Sequence, residues 1–221
     1  PHDRPLRRQK KHASLHAGSG GPGVGPSGDL ARFVFDGDLV GMLAFHIRTQ
    51  NPADTERIEP LLDRSFGAER TQRTVYRLRR GIDPVPELCF VAVDDSDDLL
   101  ASLQFWPIRI EDTPAILLGP LAVDPKMRNQ GLGRALVRHG LNEARRHGHR
   151  LCVVSGAPAY YRPYGFIPAV PYGLVMPGPL EPERLQVLEL EPGALEGVRG
   201  LIHRDERRSA DAAPRTRSAR A

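Results

Sequence analysis

One segment near the middle of the chain, a buried strand that passes through a short basic turn into a long helix, most constrains the fold. Residues 116–136 read ILLGPLAVDPKMRNQGLGRAL, and a strand over 115–123 precedes a helix predicted over 131–147. Gly131 and Gly133 let a ligand approach the backbone closely. The amides of the first helical turn and the positive end of the helix dipole favour an anion. The sequence therefore predicts a phosphate or pyrophosphate site at this turn.

Three classes of ligand use a turn of this kind, and the sequence disfavours two of them. A P-loop needs Gly-Lys-Ser or Gly-Lys-Thr, and neither tripeptide occurs in the chain. A dinucleotide-binding turn needs a small residue where Leu136 stands and an acidic residue where residues 153–156 stand. A third class, the coenzyme A site, is left open by these two tests.

The rest of the chain predicts a mixed α/β sheet, of the α+β kind rather than a doubly wound one. Asn51 and Pro52 offer a helix cap and a first helical residue, and apolar residues then recur at spacings of three and four. More strands follow toward Leu190. Strands are predicted over 43–48, 88–93, 99–110, 115–123 and 151–154, and helices after Asn51, over 70–80 and over 131–147.

Three motifs, in this order along the chain, resemble those of the GNAT superfamily of N-acetyltransferases. Residues 128–133 match the family pattern Arg-x-x-Gly-x-Gly between a strand and a long helix. Residues 160–166, Tyr-Tyr-Arg-Pro-Tyr-Gly-Phe, look like the family's late aromatic motif, and residues 51–54 open the first helix. The likeness covers roughly residues 43–200 and is closest to bacterial members. It implies a single domain with the GNAT acyl-CoA N-acyltransferase fold.

The resemblance implies an enzyme that transfers an acetyl group from acetyl-CoA to a primary amine by direct attack in a ternary complex. Tyr161 would be the general acid near the sulfur. Backbone groups would bind the coenzyme: the pantetheine arm would lie along Leu121, Ala122 and Val123, and the pyrophosphate on Arg128, Asn129, Gln130, Gly131, Leu132, Gly133 and Arg134. The family also suggests a homodimer.

Several roles stay open at this level. Tyr160 and Tyr164 compete with Tyr161 as proton donor. The general base is either a water-relayed path or one of three carboxylates, Glu87, Glu111 and Asp112. A non-catalytic acyl-CoA-binding or sensing module is the alternative function, and a nicotinamide oxidoreductase is a third.

The acceptor is also open, among small amines, amino acids, antibiotics and the lysines or N-termini of proteins. Selectivity in this fold depends on the segment near 52–80 and on the C-terminal strands, and the proline-rich residues 168–182 are expected to form part of the acceptor wall. Neither segment carries a decisive polar pattern.

The distribution of charge argues against nucleic acid as a partner. The chain has a net charge of +4, but residues 1–12 carry +4 and residues 204–221 carry +3. Residues 13–203 therefore carry −3, which is a poor match to a phosphate backbone. Apolar runs are far shorter than the ~20 residues needed to cross a bilayer, so no membrane association is expected.

The two ends of the chain are expected to be disordered tails. Residues 1–41 are basic and then rich in Gly, Pro and Ser, and residues 204–221 lack hydrophobic periodicity. Because Met42 stands directly before the first convincing strand, we expect the natural protein to begin there and the N-terminal tail not to belong to it. The domain would then span residues 43–200.

The cysteines and histidines suggest neither a disulfide nor a metal site. Cys89 and Cys152 each lie within a predicted buried strand and are expected to be packed thiols. His147 and His149 flank a glycine at a predicted helix end, which accounts for their spacing. Without a secretory signal in the sequence, we expect a cytoplasmic location.

Overall fold

The computed structural model describes the backbone of residues 31–34 and all of residues 44–206. These residues form a ten-stranded sheet with α-helices on it. The helices are α1 (Thr55–Phe66), α2 (Leu132–Arg146) and α3 (Pro158–Tyr161). The strands are β1 (Ala31–Val34), β2 (Ala44–Thr49), β3 (Phe90–Val93), β4 (Leu99–Ile110), β5 (Thr113–Val123), β6 (Leu151–Ser155), β7 (Ile167–Pro168), β8 (Leu174–Val175), β9 (Leu185–Glu189) and β10 (Gly200–Arg204).

The sheet is mixed, as the sequence predicts. Its order is β1-β2-β3-β4-β5-β6-β9-β7, with β10 paired to both β4 and β8. The pairs β5–β6 and β8–β10 are parallel, and the other pairs are antiparallel. Since the one parallel pair at the centre needs a crossover, the chain leaves β5, forms α2 and returns as β6.

Helix α2 covers one face of the centre of the sheet. Leu136, Val137 and Leu141 are buried on it together with Leu103 and Phe105 of β4. A fully buried Leu or Val contributes roughly 1.5–3 kcal/mol, so this face fixes where the helix lies and where its N-terminus points. At 15 residues α2 is the longest helix described, and none of the described helices is long and apolar enough to cross a membrane.

The cap predicted at Asn51 is present on the 3₁₀ turn Pro52–Asp54, which leads directly into α1. The Asn51 side chain accepts a hydrogen bond from the Asp54 amide at 3.2 Å, and the Asp54 carboxylate accepts one from the Asn51 amide at 2.8 Å. Ile58, Leu61 and Leu62 of the helix are buried in a cluster that also contains Ala122 of β5. Helix α1 therefore packs near the end of the strand that leads into the basic turn.

The helix predicted over 70–80 is not present. The chain instead forms two 3₁₀ turns, Ala68–Gln72 and Thr74–Leu78, with Arg73 extended between them. Tertiary contacts outweigh the helical periodicity: the Thr74 hydroxyl donates to the Pro179 carbonyl at 2.5 Å, and Arg70 pairs with two carboxylates of α1. The prediction failed because these partners are distant in sequence.

The structure describes part of each predicted tail. Strand β1 lies within residues 1–41, and its backbone pairs with β2. At the other end, Arg204 belongs to β10, and the buried Asp205 carboxylate lies 3.6 Å from the Arg109 guanidinium. The disorder of the tails stays a prediction. The rest of the two tails lies outside the described residues.

The cysteines are free and buried, as predicted. Burial raises the pKa of Cys89 to about 12 and also raises that of Cys152. Both thiols therefore stay protonated near neutral pH and act as small apolar groups in the core.

The buried carboxylate of Asp54 provides a test of what holds α1 to the sheet. Its side chain is 1 % exposed and accepts hydrogen bonds from the Arg48 guanidinium at 2.6 and 2.9 Å. We expect Asp54→Asn to lower the free energy of unfolding by about 3 kcal/mol, because it leaves Arg48 without its buried partner. Urea unfolding at neutral pH measures the loss.

Asp97→Asn is the matched control, since Asp97 contacts the same arginine but is 64 % exposed. It should cost under about 0.5 kcal/mol. Burial opposes ionisation of Asp54, but the Arg48 and Asn51 hydrogen bonds outweigh it and lower the pKa. The stabilisation is then complete near neutral pH and falls as the pH drops below about 4. Equal losses in the two variants would contradict a structural role specific to Asp54.

Candidate active site

A gap opens in the centre of the sheet where two parallel strands separate. Strands β5 and β6 pair only through residues 116–118 and 152–154. Beyond Leu118, β5 continues along β4 as far as Val123, whereas Ser155 of β6 pairs with Leu185 of β9. The last residues of β5 therefore present a backbone edge that β6 leaves unpaired.

The basic turn follows directly at the end of β5. Asp124 caps the 3₁₀ turn Pro125–Met127 by accepting a hydrogen bond from the Lys126 amide at 3.0 Å. Asn129 and Gly131 then adopt left-handed conformations, with φ of 63° and 84°. Helix α2 begins at Leu132, and no side chain within 44–206 caps its N-terminus. The first-turn amides of α2 are thus left to bind an anion.

The structure brings the predicted coenzyme residues into one continuous surface. Leu121 and Val123 are half-buried against the core that contains α2, and Ala122 is buried on the opposite face with α1. In the turn and the first residues of α2, Leu132 and Gly133 are buried and Gly131 is partly buried, whereas four side chains are exposed: Arg128, Asn129, Gln130 and Arg134. The backbone rather than the side chains lines this surface.

Gly133 connects this turn to the tyrosine motif. A Cβ atom on Gly133 would lie 2.7 Å from the Tyr160 hydroxyl oxygen and 3.3 Å from Val123 Cγ2. The absence of a side chain therefore allows Tyr160 to approach the start of α2. The two motifs, about thirty residues apart in sequence, border the same space.

Tyr161 occupies a different place from its neighbours. Its side chain is 9 % exposed, and its ring packs on Phe166, with ring centroids 5.6 Å apart. A Cβ atom on Gly156 would lie only 2.2 Å from Cε2 of this ring. Gly156 directly follows β6, so the Tyr161 ring is held at the gap, while the Tyr160 hydroxyl points to the helix start.

Burial raises the pKa of all three phenols. Tyr160 and Tyr164 raise the pKa of Tyr161 further, and Tyr164 raises the pKa of Tyr160 further. The pKa of Tyr164 is raised mainly by burial, and Arg138 opposes this rise. Each phenol is therefore protonated near neutral pH, able to donate a proton but not to accept one from an amine.

The carboxylates considered as general bases do not form a cluster at the gap. Glu111 lies in the turn between β4 and β5, where its side chain accepts a hydrogen bond from the Leu201 amide at 2.7 Å. Since a strand rises about 3.3 Å per residue, roughly 25 Å of β5 separates Glu111 and Asp112 from Gly119 at the gap. Glu87 is half-buried in the 3₁₀ turn Pro86–Leu88, and that turn contacts α2.

A cleft of about 860 Å³ lies on the other side of the gap from α2. Its lining comes from residues 72–75, residues 179–181, Arg184 and Ser155 at the end of β6. These residues overlap with the two segments expected to form the acceptor wall. Ser155 and Arg184 were not among the predicted site residues, because only the pairing of β6 with β9 brings them to this position.

No metal-binding group was found among the residues that the structure describes. Within 44–206, no three His, Cys, Asp or Glu side chains cluster closely enough to hold an ion.

Comparisons with known proteins identify the family. Residues 55–166 match the model of the acetyltransferase (GNAT) family, and they form about half of the chain. The uncharacterized N-acetyltransferase YhbS of Escherichia coli K12 is 36% identical over 162 residues, covering 72% of this chain and 96% of that protein. The uncharacterized N-acetyltransferase YjhQ of the same organism is 34% identical over 163 residues, covering 69% and 88%.

Solved structures agree with these matches. The crystal structure of the GNAT family N-acetyltransferase YhbS from Escherichia coli, in complex with CoA, superposes with a TM-score of 0.66 at 33% identity, covering 78% of this chain and 94% of that one. A GNAT family acetyltransferase from Brucella melitensis, in complex with acetyl-CoA, gives a TM-score of 0.53 at 26% identity, covering 67% and 89%. From its motifs, its mixed sheet and these relatives, this chain belongs to the GNAT family of acetyltransferases.

Proposed function

We propose that this enzyme transfers an acetyl group from acetyl-CoA to a primary amine within a ternary complex. The gap between β5 and β6 carries the proposal, because it separates an anion-binding turn on one face from an open cleft on the other. The complexes of the two relatives with CoA and acetyl-CoA support the choice of coenzyme.

The chain's own groups fit this coenzyme. The backbone from Arg128 to Arg134 would bind the pyrophosphate at the N-terminus of α2. The unpaired edge of β5 at Leu121, Ala122 and Val123 would align the pantetheine arm as an added strand. When bound, acetyl-CoA supplies an acetyl group activated as a thioester.

Tyr161 would act as the general acid. Its ring is held beside the gap by Gly156 and Phe166, and its raised pKa keeps the proton on the hydroxyl at neutral pH. In this role it donates that proton to the departing sulfur as the acetyl–sulfur bond breaks and the new carbon–nitrogen bond forms, and the proton that the amine loses returns through water to the phenolate.

The homodimer, the cytoplasmic location and the absence of nucleic-acid binding stay predictions.

Ligand-induced stabilisation tests the coenzyme. We expect CoA and acetyl-CoA, each at a hundredfold excess over its dissociation constant, to stabilise the protein by about 2.7 kcal/mol. For a domain of this size the midpoint of thermal unfolding should rise by roughly 5–10 °C. NAD and NADH at the same concentrations are the controls and should leave the midpoint unchanged.

The same experiment can refute the proposal. A shift with the nicotinamide dinucleotides alone, or with none of the four ligands, would remove coenzyme A from the site. A shift with both CoA species would justify screening amines by the release of free thiol.

A further inference from the structure

Arg79 is a buried cation without an acidic partner in the part of the chain that the structure describes. It is 9 % exposed, and no carboxylate within 44–206 forms an ion pair with it. Arg70 is buried to the same degree, at 7 %, but pairs with Glu59 and Asp63. A buried charge usually requires such a pair, because removing it from water is costly. Arg79 is therefore a buried charge for which no ion pair within 44–206 accounts.

Aromatic rings support the guanidinium of Arg79 but do not neutralise its charge. Its Cζ lies 4.8 Å from the centroid of the Tyr76 ring and 5.8 Å from that of Trp106. Its Nε is buried and has no hydrogen-bond partner within 44–206. Burial lowers the pKa of Arg79 to about 10, which still leaves it charged at neutral pH. The Arg79 guanidinium is held in place, is positively charged and has an Nε donor without a partner within 44–206, so it is suited to bind an anion.

The position of Arg79 connects it with the proposed reaction. Its Nη2 lies 3.3 Å from the place that a Cβ atom on Gly119 would occupy. Gly119 is the first residue of β5 beyond the pairing with β6, so the guanidinium reaches the edge of the gap. The Tyr161 phenol is close enough to affect the pKa of Arg79. The cation and the proposed proton donor therefore border the same gap.

An open cleft lies beside the segment that carries Arg79. It is lined by Thr74 and Val75 of the 3₁₀ turn that Arg79 directly follows, and by Ser155 at the other border of the gap. Arg73 and Arg184 add two further cations to the lining, against one carboxylate, Glu181. The balance of charge at this entrance favours an acceptor that carries a negative group.

We propose that the acceptor is an amine with a carboxylate close to the amino group, as in an amino acid, and that Arg79 binds this carboxylate. The inference rests on the proposed function and names the substrate class of that site. A bidentate pair between guanidinium and carboxylate would fix the acceptor's orientation and direct its amine toward the gap. The Arg79 guanidinium carries one positive charge, which one carboxylate balances.

Matched acceptors test this proposal in the full chain. The twenty amino acids, their α-carboxamides and phosphoethanolamine are offered with acetyl-CoA, and the acetylated products are identified by mass spectrometry. We expect at least one amino acid to exceed its own carboxamide in kcat/KM by about a hundredfold, the usual effect of removing one member of a desolvated charge pair.

Variants of Arg79 then assign the effect to this residue. Arg79→Gln should raise the KM for the amino acid by about a hundredfold and leave kcat/KM for the carboxamide unchanged. Arg79→Lys should lower kcat/KM for the amino acid about tenfold, because lysine keeps the charge but lacks the planar guanidinium that binds a carboxylate through two hydrogen bonds. Arg80→Gln, an exposed neighbour, is the control and should behave as the parent. Stabilisation by CoA, measured on each variant, shows that its coenzyme site is folded.

The outcomes separate this inference from the function on which it rests. The inference would be overturned if a carboxamide or phosphoethanolamine had a kcat/KM equal to or higher than that of every amino acid. It would also be overturned if Arg79→Gln lowered kcat/KM equally for the amino acid and for its carboxamide. CoA-induced stabilisation without acetylation of any amino acid would also overturn it while leaving coenzyme binding in place. Absence of that stabilisation in the parent protein would refute the proposed function itself.

Discussion

Tyr161→Phe is expected to lower kcat by about 10²–10³-fold without weakening coenzyme binding. The substitution removes only the hydroxyl, so the ring keeps its packing against Gly156 and Phe166. What is lost is the proton for the departing sulfur. Steady-state release of free thiol measures kcat, and thermal unfolding with CoA measures whether the coenzyme site is preserved.

Tyr160→Phe and Tyr164→Phe are the matched controls for this prediction. Both residues lie within the same cluster, but the Tyr160 hydroxyl is directed at Gly133, and Tyr164 is only partly buried. We expect each control to retain kcat within about tenfold. If Tyr160→Phe or Tyr164→Phe produced the large loss instead, the assignment of the proton donor would move to that residue. A sensing module would bind CoA and show no turnover in the parent protein.

The pH dependence of kcat should agree with this role. Burial raises the pKa of Tyr161 above its usual value near 10, so the donor stays protonated throughout the neutral and mildly alkaline range. Since a general acid works only in its protonated form, Tyr161 should cause no fall in kcat below about pH 10. A fall between pH 7 and 9 that disappears in Tyr161→Phe would contradict the raised pKa.

The features that were predicted correctly are those encoded by neighbouring residues. The cap at Asn51 and the helix that follows the basic turn each rest on a few consecutive positions. Such local patterns predict the structure correctly because the same hydrogen bonds and backbone angles are present in the folded protein. The mixed sheet followed from the order of these elements.

The features that were missed depend on contacts between distant segments. The 3₁₀ turns at Ala68–Gln72 and Thr74–Leu78 replace a helix because Thr74 bonds to Pro179, a partner about a hundred residues away. The niche of Arg79 combines a turn, Trp106 of β4 and Gly119 of β5. No local pattern identifies such a niche, because its residues are far apart in sequence.

The resemblance assigns the proton donor to Tyr161 and leaves Tyr160 and Tyr164 as competitors, whereas the two glycines beside them give Tyr160 and Tyr161 distinct positions. Gly156 receives the Tyr161 ring at the end of β6, and Gly133 receives the Tyr160 hydroxyl at the start of α2. Both glycines act by leaving space for an aromatic side chain rather than by chain flexibility. The proposed coenzyme surface and the proposed proton donor therefore depend on each other through this packing.

Gly133→Ala follows from that dependence and is expected to raise the Kd for CoA at least tenfold. The added methyl would lie 2.7 Å from the Tyr160 hydroxyl oxygen and 3.3 Å from Val123, so it must displace one of them or shift the start of α2. Overpacking of this kind costs roughly 1–3 kcal/mol, part of which would appear as lost coenzyme affinity because the displaced groups border its binding surface. Calorimetric titration with CoA measures the change.

Two further variants show whether the cause is this contact. Gly148→Ala, just after α2, has a φ of 76° but no atom within 4 Å of the new methyl, so it should strain the backbone without affecting the Kd. The double variant Gly133→Ala/Tyr160→Phe removes the closest clashing atom and should recover much of the affinity, a coupling that independent sites would not show. If the second substitution gave no recovery, the Tyr160 hydroxyl would not be what makes glycine necessary at this position, and a direct clash of the methyl with the coenzyme would take its place as the explanation.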